Sequence, residues 1–245
     1  MMEVQCWSVR LEVPPETLDS LAATLSPDER QRSARLRFER DRQRFMVERG
    51  VLRDLLGRYL GILPGRVRFA YNAFGKPELS PEFRSSVRFN LSHSADLALI
   101  GITTDTRIGV DLEYIRPQPA YLEIARSFFS ATEVDELNGL PSPLQTEAFL
   151  NCWTRKEACV KARGMGLAIP ATDRAEPWSI YNLQPAPGYV GALAIEETGA
   201  SWGFGLYSGS WSSTQLSVSP LPTVPRHYSS SPAPARAKPT LSPIA

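Results

Sequence analysis

Three observations predict an α+β fold. Runs of alternating apolar and polar residues, as at 87–92 and 108–113, mark strands. Two long segments, 41–60 and 147–163, read as helices. These signals come grouped as helices, strands, helices and strands, not as regular strand–helix alternation.

The elements follow in order. Residues 4–12 read as a short strand. Ser26 then caps a helix, with Pro27 at its first position and Glu29 completing a capping box. In 41–60, Phe45, Leu52, Leu55 or Leu56, and Tyr59 recur at helical spacing until Gly61 and Pro64. Strands are expected near 66–71, 87–92 and 97–102. Val87, Phe89 and Leu91 share a face, which leaves Ser92 and His93 at a strand end with backbone N–H groups free for an anion. A polar link, Thr103 to Thr106, leads to the strand 108–113. Helices follow at 121–128, from a cap at Ser130 with Glu133 three residues on, and at 147–163. Weaker strands are expected at 177–183, 190–196 and 202–207. From Leu221 onward, prolines mix with serine and alanine. Such a segment buries too little apolar surface to offset its chain entropy, so 221–245 reads as a disordered tail.

Bulk properties narrow the classes. With 245 residues, one large or two small domains fit. The division expected is 1–105, 106–220 and the tail. A net charge of +1 argues against a general nucleic-acid or membrane-surface binder. No stretch is long and apolar enough to span a bilayer. The first residues lack the basic-then-apolar pattern of a signal peptide. Three cysteines form no zinc pattern. Cys152 and Cys159 lie roughly 10 Å apart along a helix, too far for a disulfide. A reduced cytoplasmic protein is the expectation. The arginines of 30–58 admit a nucleic-acid stripe, but Asp28, Glu29, Glu39, Asp41, Glu48 and Asp54 interleave with them, as on a solvated face.

Three short motifs carry the chemistry. They are Phe89 to Ser94 (FNLSHS), Gly109 to Glu113 (GVDLE), and Trp153 to Ala158 (WTRKEA) with Lys161 one turn on. In the strand 108–113, Ile108, Val110 and Leu112 take one face, and Gly109, Asp111 and Glu113 the other. Gly109 leaves room for a ligand to approach the backbone. Trp153, Glu157 and Lys161 form one helical stripe. An Asp-x-Glu alone is more often a solvated strand face, and a Glu157–Lys161 pair an ordinary surface pair. A lone histidine is more often structural. Together, the three carboxylates Asp111, Glu113 and Glu157, a Ser-His pair and a lysine suit a magnesium-bound pyrophosphate. No Gly-x-Ser-x-Gly elbow makes Ser92 and His93 a hydrolase pair.

The motifs resemble those of the 4′-phosphopantetheinyl transferases of the Sfp type. That family carries Gly-Lys-Pro, matched by Gly75-Lys76-Pro77, ahead of the three motifs in the same order. The run from Ile124 to Ser130 and the turn Gly164-Met165-Gly166-Leu167 add weaker matches. The resemblance covers roughly residues 5 to 215. It implies two similar α/β halves related by a pseudo-twofold, with the active site at their interface. It implies coenzyme A binding in the first half, and the magnesium site and carrier binding in the second. Magnesium would lie on Asp111, Glu113 and Glu157. Lys161, His93, Ser92 and Asn90 would meet the phosphates. Arg32 and Arg44 would meet the 3′-phosphate, and Gly75, Lys76 and Pro77 the adenine and phosphate. The reaction implied is attack by a serine of an apo acyl or peptidyl carrier protein on the β-phosphate, releasing adenosine 3′,5′-bisphosphate. Glu157, or a metal-bound hydroxide or water relay, would take the serine proton. The expected enzyme is a cytoplasmic monomer. Two alternatives stand: a non-catalytic carrier- or coenzyme A-binding homologue, and another magnesium-dependent nucleotide-pyrophosphate enzyme.

Overall fold

The computed structural model describes residues 3–117, 121–164, 178–196 and 201–207. Strand β1 (Glu3–Arg10) leads to helices α1 (Pro15–Ala23), α2 (Pro27–Ala34) and α3 (Glu39–Leu60). A small hairpin follows, β2 (Phe69–Tyr71) and β3 (Pro77–Leu79), and then a larger one, β4 (Val87–Ser94) and β5 (Leu97–Thr104). Next come β6 (Ile108–Tyr114), α4 (Tyr121–Phe128), α5 (Ala131–Gly139) and α6 (Ser142–Arg163). Strands β7 (Ser179–Leu183), β8 (Tyr189–Ile195) and β9 (Ser201–Leu206) complete the described chain. The mixture is α+β, as expected.

One sheet has the order β4-β5-β1-β9 and another the order β6-β8-β7. Strand β9 returns across the molecule to pair in parallel with β1. Helix α3 covers the first sheet, packing Val47, Val51, Leu52 and Leu55 with Val9, Phe89, Ile100 and Ile102. Behind that sheet, Val4, Cys6, Leu97 and Leu99 share a second core with Ile108, Val110, Leu112 and Leu193. Helix α6 closes on β6 and β8 through small residues, Ala158 and Ala162 against Ala192 and Ala194.

Several expectations change. Gly109 does not leave space for a ligand. A Cβ there would lie 1.9 Å from the Ala158 carbonyl oxygen, so the glycine admits the backbone of α6. The arginine-rich segment is not wholly a solvated face. Arg49 and Arg53 are buried, holding the Glu29 carboxylate at 2.7 Å and 2.6 Å. Glu29 also accepts the Ser26 N–H in the expected capping box. Ser92 and His93 lie within β4, paired with Leu99 and Ala98, not beyond the strand's end. Helix α1 and strand β3 were not expected, α6 starts earlier than 147, and only 69–71 of the strand near 66–71 forms. The three cysteines are free. The tail 221–245 and residues 165–167 of the glycine turn lie outside the described residues.

Candidate active site

Strands β4 and β6 belong to different sheets, yet side chains of β4 bridge them. Asn90 Oδ1 accepts the Val110 N–H at 2.8 Å. Ser92 Oγ donates to Asp111 Oδ1 at 2.9 Å. Ser94 Oγ donates to Glu113 Oε2 at 3.0 Å and accepts the Tyr114 N–H at 3.1 Å. Strand periodicity turns every second residue of β4 toward β6, which is why Asn90, Ser92 and Ser94 act together.

Helix α6 supplies the next layer. Lys161 Nζ donates to Asp111 Oδ1 at 2.7 Å and to Ser92 Oγ at 2.8 Å. Three residues far apart in sequence thus converge. Glu157 stands one turn earlier on the same helix. Burial pushes its pKa up to about 7, Asp111 and Glu113 add to the rise, and Lys161 opposes it. Burial and then Asp111 also raise Glu113. Asp111 itself is buried, and its Oδ2 has no hydrogen-bond partner. An acidic cluster with an orphaned buried oxygen and one lysine is short of positive charge. Its oxygen-only donors suit a hard divalent cation. Among the described residues, no three acidic, His or Cys side chains enclose an ion as they stand.

His93 points to the other face of β4, toward α3. Its Nδ1 lies 2.7 Å from Glu48 Oε2. That hydrogen bond and the Glu48 charge raise the imidazole pKa, while burial, then Lys161 and Arg44, oppose the rise. Ser92 and His93 are neighbours in sequence but have different partners. Arg44, one turn before Glu48, is held by Glu12 at 2.8 Å. Arg32 stands over the Phe45 ring, 5.6 Å from its centroid, on the α2–α3 surface.

The hairpin tip reaches α6 instead of standing free. Gly75 adopts φ 82°, Pro77 opens β3, and the Asn72 carboxamide accepts the N–H groups of Phe74 and Lys76. Asn72 Nδ2 donates to the Gly164 carbonyl at 3.0 Å. Lys76 Nζ donates to the Lys161 carbonyl at 2.6 Å, and burial pulls the Lys76 pKa down to about 8. Trp153, expected beside the site, stacks instead with Phe149 and meets Phe128 edge-on. Sequence reasoning missed Asn72 and treated Glu48 only as one of several interleaved acids. Neither carries a local signal, because each acts on a residue distant in the chain.

Asp111, Glu113, Glu157 and Lys161 gather at the seam of two helix-on-sheet layers, and such groups are the kind that phosphoryl transfer uses. Residues 107–215 match the 4′-phosphopantetheinyl transferase superfamily, and residues 12–104 match the 4′-phosphopantetheinyl transferase N-terminal family. The chain is 41% identical over 214 residues to the 4′-phosphopantetheinyl transferase HetI of Nostoc sp. strain PCC 7120, which covers 82% of this chain and 90% of that one. It is 31% identical over 146 residues to the 4′-phosphopantetheinyl transferase Sfp of Bacillus subtilis strain 168, covering 60% and 63%. With the 4′-phosphopantetheinyl transferase AcpT of Escherichia coli K12 it shares 38% over 112 residues, or 46% and 55%. The chain belongs to the 4′-phosphopantetheinyl transferase family.

Proposed function

We propose that this enzyme transfers the 4′-phosphopantetheine group of coenzyme A to a serine of an apo acyl or peptidyl carrier protein. The observation that carries this reading is the convergence of Ser92, Asp111 and Lys161, from β4, β6 and α6, beside the carboxylates of Glu113 and Glu157. Such a set is arranged to bind a pyrophosphate and a cation together.

Asp111, Glu113 and Glu157 would hold magnesium. When bound, the ion neutralises charge on the pyrophosphate. The chain's own groups do the rest. Lys161 is held by Asp111 and Ser92 where it can donate to a phosphate oxygen. His93 presents a second donor from the other face of β4. Arg44 lies near enough to His93 to influence its charge, and serves the 3′-phosphate. The carrier serine oxygen forms its bond to the β-phosphorus as the bond to the bridging oxygen breaks. Adenosine 3′,5′-bisphosphate leaves with that oxygen. Glu157, or a metal-bound water, would take the serine proton; the Glu157 pKa of about 7 belongs to the metal-free carboxylate, and a cation bound to it would lower that value.

The two-part organisation supports a pseudo-twofold. Each half lays a 22-residue helix, α3 or α6, over three antiparallel strands, β4-β5-β1 or β6-β8-β7, and each helix ends at a left-handed glycine, Gly61 or Gly164. The reading takes residues 1–105 as the nucleotide-binding half and 106–220 as the metal and carrier half. It takes the enzyme as a cytoplasmic monomer. Among the described residues, no helix is long and apolar enough to cross a membrane.

The test is mass spectrometry of an apo carrier protein after incubation with coenzyme A and magnesium. The carrier should gain the mass of one phosphopantetheine arm, adenosine 3′,5′-bisphosphate should appear, and chelator should stop both. An unmodified carrier across acyl and peptidyl types would sink the reading.

A further inference from the structure

Glu48 is an acid that the transfer chemistry above does not use. It sits in the middle of α3, with its side chain only 8% exposed. A buried carboxylate is costly to keep unless it is paired. Arg44, one turn away on the same helix, is drawn to Glu12. The partner of Glu48 is the imidazole of His93, at 2.7 Å. The His93 side chain is 62% exposed. A buried acid therefore grips one nitrogen of a ring whose other nitrogen is turned away from it, on an open surface.

We propose that Glu48 is a positioning residue, which orients His93 from α3 so that its free ring nitrogen donates to a phosphate of the nucleotide substrate. This rests on the reading of His93 as a phosphate donor. An imidazole donates from both nitrogens only when protonated. Glu48 favours that form, whereas burial, then Lys161 on α6 and Arg44 on α3, disfavour it. Without Glu48, burial and those two cations would leave a neutral ring near neutral pH. The exposed nitrogen could then be an acceptor, which a phosphate oxygen repels.

The experiment compares Glu48→Gln, His93→Ala and the double variant by steady-state kinetics at about pH 7.5 and about pH 5.5, either side of the ordinary histidine range. Glu48→Gln preserves shape and hydrogen-bonding capacity but removes the charge. At the higher pH its KM for coenzyme A should rise by about tenfold, with kcat little changed, because a contact equal in ground and transition states is lost. At the lower pH the gap to wild type should narrow, since acid protonates the ring unaided. Adding Glu48→Gln to His93→Ala should change nothing further. NMR titration of His93, one of two histidines in the chain, should show its pKa lowered in Glu48→Gln. Glu48→Asp, which retains the charge, should recover part of the affinity. If Glu48→Gln matches wild type at both pH values while His93→Ala binds coenzyme A weakly, the proposal is overturned and the phosphate role of His93 survives. A defect of equal size at both pH values would make Glu48 a packing residue and overturn it too. If His93→Ala leaves KM unchanged, the underlying reading of His93 falls, and this inference with it.

Discussion

A carboxylate that is both partly buried and crowded by two others resists ionisation, and the resistance is measurable. Glu157 is raised from 4.5 to about 7 by burial and by Asp111 and Glu113. An unfolded chain would release that proton near the ordinary glutamate range. Between about pH 4.5 and 7 the folded state therefore binds more protons than the unfolded one, and stability falls as pH rises. In metal-free protein above pH 7, Glu157→Gln should stabilise the fold by on the order of 1–3 kcal/mol, seen as a higher melting temperature, and the gain should vanish in mild acid. The same variant should lose most of its transfer activity. Melting curves in chelator at both pH values check the first part; equal curves would show that the crowding is relieved some other way. The alternation of 108–113 made the acidic face of β6 legible in advance. The meaning of Gly109 was not. A glycine reports that something approaches the backbone, and only the packed structure shows that the visitor is α6, whose Ala158 carbonyl fills the space.

At the scale of elements, the C-terminal end of α6 needs support, because its last carbonyls lack partners within the helix. The β2–β3 hairpin supplies it: Asn72 takes the Gly164 carbonyl and Lys76 takes the carbonyl of Lys161 itself. A cation at this end also suits the helix dipole. The backbone that carries Lys161 is thus steadied by a turn some 85 residues earlier in the chain. Lys76→Met should cost about 1–3 kcal/mol through the lost bond to a part-buried carbonyl. It should lower kcat more than it raises KM for coenzyme A, with Lys76→Arg recovering part of the rate. Thermal unfolding and transfer kinetics measure both. An unchanged melting temperature with a large rise in KM would return Lys76 to the phosphates, the role its Gly-Lys-Pro motif suggests. Helix α3 was legible because apolar residues recur along it at helical spacing, and α6 because Trp153, Glu157 and Lys161 fall on one helical stripe. Helix α1 was not, since it buries only Leu21. The β2–β3 strands are three residues each, too short for alternation to register.

At the scale of the molecule, the first sheet depends on the end of the described chain. Strand β9 adds to β1 over six residue pairs, from Glu3 with Ser201 to Ser8 with Leu206. The Tyr207 hydroxyl then donates to Asp54 on α3 at 2.7 Å, which ties the same segment to the helix above the sheet. The other side of β1 pairs with β5, so β9 shields what would otherwise be an open edge beside Val4, Cys6 and Trp7. An unpaired edge strand leaves its backbone groups without partners and invites association between chains. The alternating strand near 202–207 was legible; its return to the first sheet was not, because strand periodicity says nothing about which neighbour is chosen. Two truncations separate the parts. Ending the chain after Pro220 removes only the proline-rich segment, and should leave the melting temperature and carrier modification close to those of the full chain. Ending it after Glu196 removes β9 and Tyr207 together, and should lower the melting temperature sharply and produce oligomers on gel filtration. The second loss should appear in the N-terminal sheet first, as faster amide exchange in β1 than in β6. Equal stability of the two truncated forms would mean that β1 and β5 hold the sheet without their third partner. A drop already present after Pro220 would place residues beyond 220 in the packing of the body, contrary to what their composition implies.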